Sequence, residues 1–174
     1  MKFTANISRF EESKVFWTSI IIIPDAVYKE MIKISPDKRI ICTINNSITF
    51  HCAMIPKKPF HYIMLSKDKI KTLKLNVNDI ISVEIVADTS EFGMEICEEL
   101  QEVLASDDEG NLWFQKLTPG KKRSLLYMLS KTKNSQLKIK KSFVFIEHLK
   151  RNKGEFDPII YQEEYKNFRD KNSI

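Results

Sequence analysis

The stretch SIIIIPDAVYKEMIKISPDKRIICTI, residues 19–44, decides how the first half of this chain reads. The aliphatic run Ile20–Ile23 stops at Pro24, which cannot continue a central ladder but suits the opening of a helix. A short helix is predicted over Asp25–Ile32, then a Ser35-Pro36-Asp37 turn and a strand over Lys38–Asn45. Residues 61–86, HYIMLSKDKIKTLKLNVNDIISVEIV, repeat that order. A strand leads to Ser66 as a helix cap, a short helix through Leu73, a Val77-Asn78-Asp79 turn and a strand over Ile80–Ala87. At an offset of 42 residues Tyr28 meets Ile70, Met31 meets Leu73 and Asp37 meets Asp79. Few identities survive, but the pattern does, and two copies of strand–helix–turn–strand imply a small pseudo-symmetric barrel.

The flanking segments also read as β structure. Phe3, Ala5 and Ile7 alternate with polar residues, as in a strand with one buried face. The strand that ends at Ile23 is read from Val15. Ile48–Ile55 follows an Asn45-Asn46-Ser47 turn, and Pro56-Lys57-Lys58-Pro59 turns into a strand over Phe60–Leu65.

From about residue 94 the period becomes helical. Glu95–Ala105 sets Ile96, Leu100, Val103 and Leu104 on one face, and Ser106 with Glu109 reads as a capping box for a helix holding Leu112, Trp113 and Phe114. Thr118 caps a third helix with Pro119 at its first position and Leu125, Leu126, Met128 and Leu129 facing inward. A fourth, Gln136–Lys150, aligns Ile139, Phe143, Ile146 and Leu149 and ends at Gly154. Trp17, Trp113, Phe114, Phe143 and Phe145 are read as core. The expected organisation is a β domain over residues 1–90, a helical domain over 94–152 and a polar tail over 153–174.

Several strings resemble the bacterial YdeI/OmpD-associated, or bacteriocin-protection, proteins, whose N-terminal half is a domain of unknown function (number 1905). They are Ile21-Ile22-Ile23-Pro24, Asp88-Thr89-Ser90-Glu91-Phe92-Gly93 and Glu98-Glu99-Leu100-Gln101-Glu102-Val103-Leu104. Phe114-Gln115-Lys116-Leu117-Thr118-Pro119-Gly120-Lys121-Lys122-Arg123-Ser124 and Glu147-His148-Leu149-Lys150 belong with them. The resemblance implies an α+β protein: a double-split β-barrel similar to the swapped-hairpin barrels of AbrB, MazE and MraZ, fused in one chain, followed by a small helical domain. The chain departs from the family at Asn78, where glycine is usual, at Cys97, where proline is common, and in the basic motif Ser135-Gln136-Leu137-Lys138-Ile139-Lys140-Lys141, which in the family often contains arginine. Asparagine tolerates a left-handed turn, whereas lysine lacks the planar fork of arginine. The family supplies no established activity.

Composition narrows the function classes. Ordinary apolar and charged fractions exclude a disordered tail or a fibre, and 4 glycines leave little for a phosphate-cradling loop. Gly120-Lys121 lacks the remaining Walker residues, since Gln115 and Lys122 stand where glycine and Ser or Thr are required. Three widely spaced cysteines, no long apolar run and no signal-like start predict a cytoplasmic protein that does not enter a membrane.

The net charge of +5 is unevenly placed. Residues 91–109 carry eight acids and no base, whereas residues 116–153 carry twelve bases and one acid. Lys121, Lys122 and Arg123 stand in the first turn of a helix, where positive charge opposes the macrodipole. With Lys131, Lys133, Lys138, Lys140 and Lys141 they form the candidate anion or nucleic-acid site. Neutralisation of these bases by residues 91–109 within the fold is the competing reading.

Other constellations are weaker. His51 and Cys52 point to opposite faces of one strand, so with His61 they do not make a metal site. Cys97 lies among glutamates that raise its thiol pKa, and Cys42 reads as core. Asp107-Asp108-Glu109 suits a helix start without any chemistry. The reading is therefore a non-enzymatic binding protein without metal or cofactor, whose basic helical hairpin meets an anionic partner, nucleic acid first. A protein-interaction or stress-protection module is the alternative.

Overall fold

The structure, a computed structural model, describes residues 1–10 and 19–171 and divides into two compact units, Met1–Thr89 and Ser90–Ile174. The protein is α+β: an antiparallel sheet curled into a half-barrel, followed in sequence by helices.

The first unit runs β1 (Lys2–Arg9), β2 (Ser19–Ile23), α1 (Asp25–Ile34), β3 (Arg39–Ile44), β4 (Ile48–Ala53), β5 (Ile55–Lys57), β6 (Phe60–Leu65), α2 (Lys67–Leu73) and β7 (Ile80–Ala87). The part of the second strand expected over residues 15–18, and Trp17 with it, lies outside the described residues. The strands lie in the order β4-β3-β7-β1-β2-β6-β5.

Their register makes the internal repeat physical. In the antiparallel pair β2–β6, Ile21 stands opposite Ile63, its own counterpart, since 63 − 21 = 42. In β3–β7, Cys42 stands opposite Ile85, a separation of 85 − 42 = 43. Strands that pair with their own counterparts are related by a local two-fold axis, so the two copies interleave rather than sit side by side.

The leading arms obey the same symmetry. β1 pairs with β7 over Lys2–Asn6 and with β2 over Ile7–Arg9. β4 pairs with β3 and β5 with β6, the break falling at Met54. At the two crossing points the Ile7 N–H donates to Asp79 O at 3.0 Å and the Met54 N–H to Lys38 O at 2.9 Å. Each arm is thus split between two halves of the sheet. The strand expected to run unbroken over Ile48–Ile55 is two strands, because Met54 turns inward and is fully buried. Pro56 and Lys57, expected in a turn, belong to the edge strand β5, where a proline forfeits no interior ladder bond.

Alternation places the core. On β3 the buried residues are Ile40, Cys42 and Ile44, and on β7 they are Ile81, Val83 and Ile85. With Ile7, Ile21, Ile23, Met31, Ile63 and Leu65 they form one apolar cluster. Asn78 has φ 73, the left-handed turn expected of it.

The second unit runs α3 (Glu98–Ser106), α4 (Asp108–Lys116), α5 (Pro119–Ser130), α6 (Ser135–Arg151) and α7 (Pro158–Lys171). Its core includes Leu100, Phe114, Leu125, Leu129, Phe145 and Leu149. The cap of α4 is shifted from the expected Ser106: the Gly110 N–H donates to Asp107 Oδ1 at 2.8 Å, while Ser106 Oγ donates back to Val103 O.

The inward face of α6 also differs from the expected stripe. Ile139 and Phe143 are exposed, whereas Ser142 and His148 are completely buried. Polar letters on the inner face and apolar letters on the outer face misdirect the period. The expected polar tail folds as α7, whose buried Tyr161, with Tyr165 and Phe168 following at helical spacing, joins the core. Asp157 caps it, accepting from the Ile159 N–H at 2.8 Å and the Ile160 N–H at 3.1 Å.

Candidate functional site

The basic residues of the helical unit follow from how α5 and α6 are capped. Thr118 Oγ1 accepts from the Lys121 N–H at 3.4 Å, with Pro119 opening the helix. This sets Lys121, Lys122 and Arg123 at the start of α5. Asn134 Oδ1 accepts from the Leu137 N–H at 2.9 Å and starts α6. Lys131 and Lys133 fall in the connection, and Lys138, Lys140 and Lys141 in the first two turns of α6.

The eight residues do not form one surface. Ten residues of helix, at a rise of about 1.5 Å each, hold Lys121 about 15 Å from Lys131. Lys122 Nζ donates to Gln115 Oε1 at 2.9 Å and lies 5.1 Å from the Phe92 ring. Arg123 Nη1 donates to Phe92 O at 3.4 Å, tying the start of the unit to α5. Lys138 pairs with Glu99 at 3.3 Å, both side chains being largely covered. Lys141 Nζ donates to Thr132 Oγ1 at 2.8 Å. These four are partly buried structural ties. Lys121, Lys131, Lys133 and Lys140 are exposed. Among the described residues the side chains of Lys121, Lys133 and Lys140 make no ion pair.

The acidic segment does reach the basic one, at two points. Besides Glu99 on Lys138, Asp107 Oδ2 accepts from Lys150 Nζ at 2.8 Å, and Glu147 Oε1 accepts from the same ammonium at 2.6 Å. Its own backbone N–H and the Ser135 hydroxyl, with Lys138, hold the Glu99 carboxyl below the usual carboxylate range. Lys150 and then the Gly110 N–H do the same for Asp107, and Asp107 with Glu147 pushes the Lys150 ammonium pKa upward. Counted over residues 90–174, 15 bases face 14 acids, so the helical unit has a formal net charge of 15 − 14 = +1. The charge is segregated within the unit rather than in large excess.

The remaining candidates have structural places. His51 Nδ1 lies 2.8 Å from Asp88 Oδ2, a carboxylate fully out of solvent. The His61 ring stacks on Tyr28 with centroids 3.3 Å apart. A hydrogen bond with Cys42 and burial raise the Cys52 thiol pKa. Burial is also the main cause that raises Cys97, ahead of Glu99. Among the described residues no three His, Cys, Asp or Glu side chains converge as a metal site would need.

One feature of the β unit escaped the sequence reading. A cleft of about 550 Å³ opens beside α2, lined by Arg9, Lys67, Lys71 and Lys74 over Leu65 and Ile70. Lys67, Lys71 and Lys74 recur at i, i+4 and i+7, so the stripe was legible as one helical face. Arg9 comes to it only through the fold.

No curated protein matches the chain. Residues 93–152 match the family model OmdA, described as bacteriocin-protection, YdeI or OmpD-associated. That span runs from Gly93 through α3, α4, α5 and α6, so it takes in the Thr118 cap and the Asp107–Lys150 contact. Over residues 93–152 the helical unit is therefore similar to the bacteriocin-protection, YdeI or OmpD-associated family.

Proposed function

We propose that this chain is a cytoplasmic binding protein without catalytic machinery, and that its helical unit contacts the phosphates of a nucleic acid through Lys121, Lys131, Lys133 and Lys140. The observation that carries the reading is the exposure of these four lysines while the other four bases are tied into the fold. Contacts from such point charges position a backbone and carry no sequence information.

Anisotropy of a labelled DNA duplex, titrated with salt, tests it on the whole chain. About four phosphate contacts give a log–log slope near −3.6, and the quadruple alanine variant of those lysines brings it close to zero. A wild-type chain that leaves the duplex unbound at low salt would sink the proposal.

A second reading has its own support. Tyr127, Leu137, Ile139 and Phe143 are all exposed on α5 and α6. Apolar side chains among lysines suit a protein partner with an acidic, partly apolar face, as a protection module would require. Duplex binding that is absent while a Phe143→Asp variant loses a protein partner would favour this second reading.

A further inference from the structure

The internal two-fold of the β unit supplies a control for the cleft beside α2. At the 42-residue offset fixed by Ile21 opposite Ile63, Ser19 corresponds to His61, Tyr28 to Ile70, Asp25 to Lys67, Lys29 to Lys71 and Ile32 to Lys74. In the first copy the position is closed and neutral. Tyr28 on α1 stacks on His61 of β6, and Lys29 pairs with Asp25 at 2.7 Å. In the second copy the matching pair is Ile70 on α2 and Ser19 of β2. An aliphatic chain and a hydroxymethyl cannot fill the space of two stacked rings, and the cleft of about 550 Å³ is what remains.

The charge is reversed together with the shape. Lys67 replaces the aspartate that neutralises Lys29 in the first copy, and Lys74 replaces an isoleucine. With Arg9 these cations line the mouth, and among the described residues that line it there is no carboxylate. Like charges at i, i+4 oppose the helix they sit on. Lys74 also holds a left-handed backbone, φ 52, at the C-cap, where glycine would be free of strain. Local rules broken together on one rim, while the equivalent position obeys them, are a mark of use rather than of packing. The floor is Leu65 and Ile70, with Ser19 contributing a hydroxyl that is almost wholly buried.

We propose that this cleft binds a small organic phosphate with an apolar body, of the size of a nucleotide. The cations take the phosphate oxygens and the aliphatic floor takes the body. Its volume falls within the range of ligand sites of that size, about 300–1,000 Å³. The proposal concerns the β unit alone and does not depend on the helical lysines.

Isothermal titration calorimetry on the full chain, with inorganic phosphate, pyrophosphate and adenosine diphosphate as probes, tests it. Adenosine diphosphate is expected to bind saturably and more tightly than pyrophosphate, with inorganic phosphate weakest. Lys67→Ala with Lys71→Ala lowers its affinity at least about tenfold, as loss of charged hydrogen bonds would. Ile70→Tyr, which restores the bulk of the first copy, weakens adenosine diphosphate more than pyrophosphate. Circular dichroism of each variant shows that the fold is kept.

Absence of saturable binding at millimolar probe overturns the proposal. So does binding that survives the double lysine variant but is lost in the quadruple variant of Lys121, Lys131, Lys133 and Lys140, which would move it to the helical unit. Equal affinity for pyrophosphate and adenosine diphosphate overturns the assignment of an apolar body.

Discussion

His148 shows how one residue holds several segments together. It is completely buried, and its Nε2 accepts from the Asp157 N–H at 3.1 Å, so the ring is the tautomer that carries its proton on Nδ1. That proton points at Glu164 Oε2, 2.8 Å away on α7, and Glu164 also pairs with Arg151 at 3.2 Å. The imidazole thus ties α6 to the cap of α7 and to α7 itself. Its edge packs against Phe156 and Tyr161. Replacing it with alanine strands a backbone donor, leaves Glu164 with Arg151 as its ion-pair partner and opens a cavity. His148→Ala is expected to cost about 2–4 kcal/mol in urea unfolding. A loss under about 1 kcal/mol would show that α7 does not depend on this ring. The sequence suggested nothing of this, because a histidine between acids and lysines reads as surface.

At the scale of elements, Asp107 caps α4 and clamps it to α6. Its Oδ1 takes the Gly110 N–H and its Oδ2 the Lys150 ammonium. Gly110 is required beside it, since a Cβ there would run into the Ile146 side chain. The Asp107 carboxyl pKa is lowered by folding, chiefly by Lys150. The stabilisation it contributes is therefore present above the ordinary carboxylate pKa, near 4, and is lost as pH falls through that range toward the folded value. Asp107→Asn keeps a good cap but loses the charge. Between about pH 7 and about pH 3 the urea midpoint of the variant should fall less than that of the parent. Parallel curves would refute the clamp. The acid-rich segment was legible as a set of helix starts, and its two contacts with the basic segment were not, because they join residues 39 and 43 positions apart.

At the scale of the molecule, interleaving makes each copy of the β unit incomplete alone. β2 has β6 as a neighbour and β3 has β7, and both partners come from the second copy. A fragment covering residues 1–45 exposes the inner faces of both strands and is expected to show no strand signal by circular dichroism. Adding residues 46–89 should restore it. A folded monomer from residues 1–45 alone would contradict the interleaved register.

By itself the sequence determined the elements of the β unit other than β5, their repeat at 42 residues, the change to helical period near residue 94 and the Thr118 cap. These rest on periods of two and 3.6 residues and on local hydrogen bonds, which neighbours in the chain decide. Tertiary structure alone decided which lysines face solvent, that Met54 splits the second arm, that Ser142 and His148 turn inward, and that residues 158–171 form a packed helix. It also decided that Ser19 meets Ile70 across a cleft where His61 meets Tyr28 across none. Each of these depends on a partner supplied from far along the chain, and the burial of a side chain is set by that partner and not by its own letter.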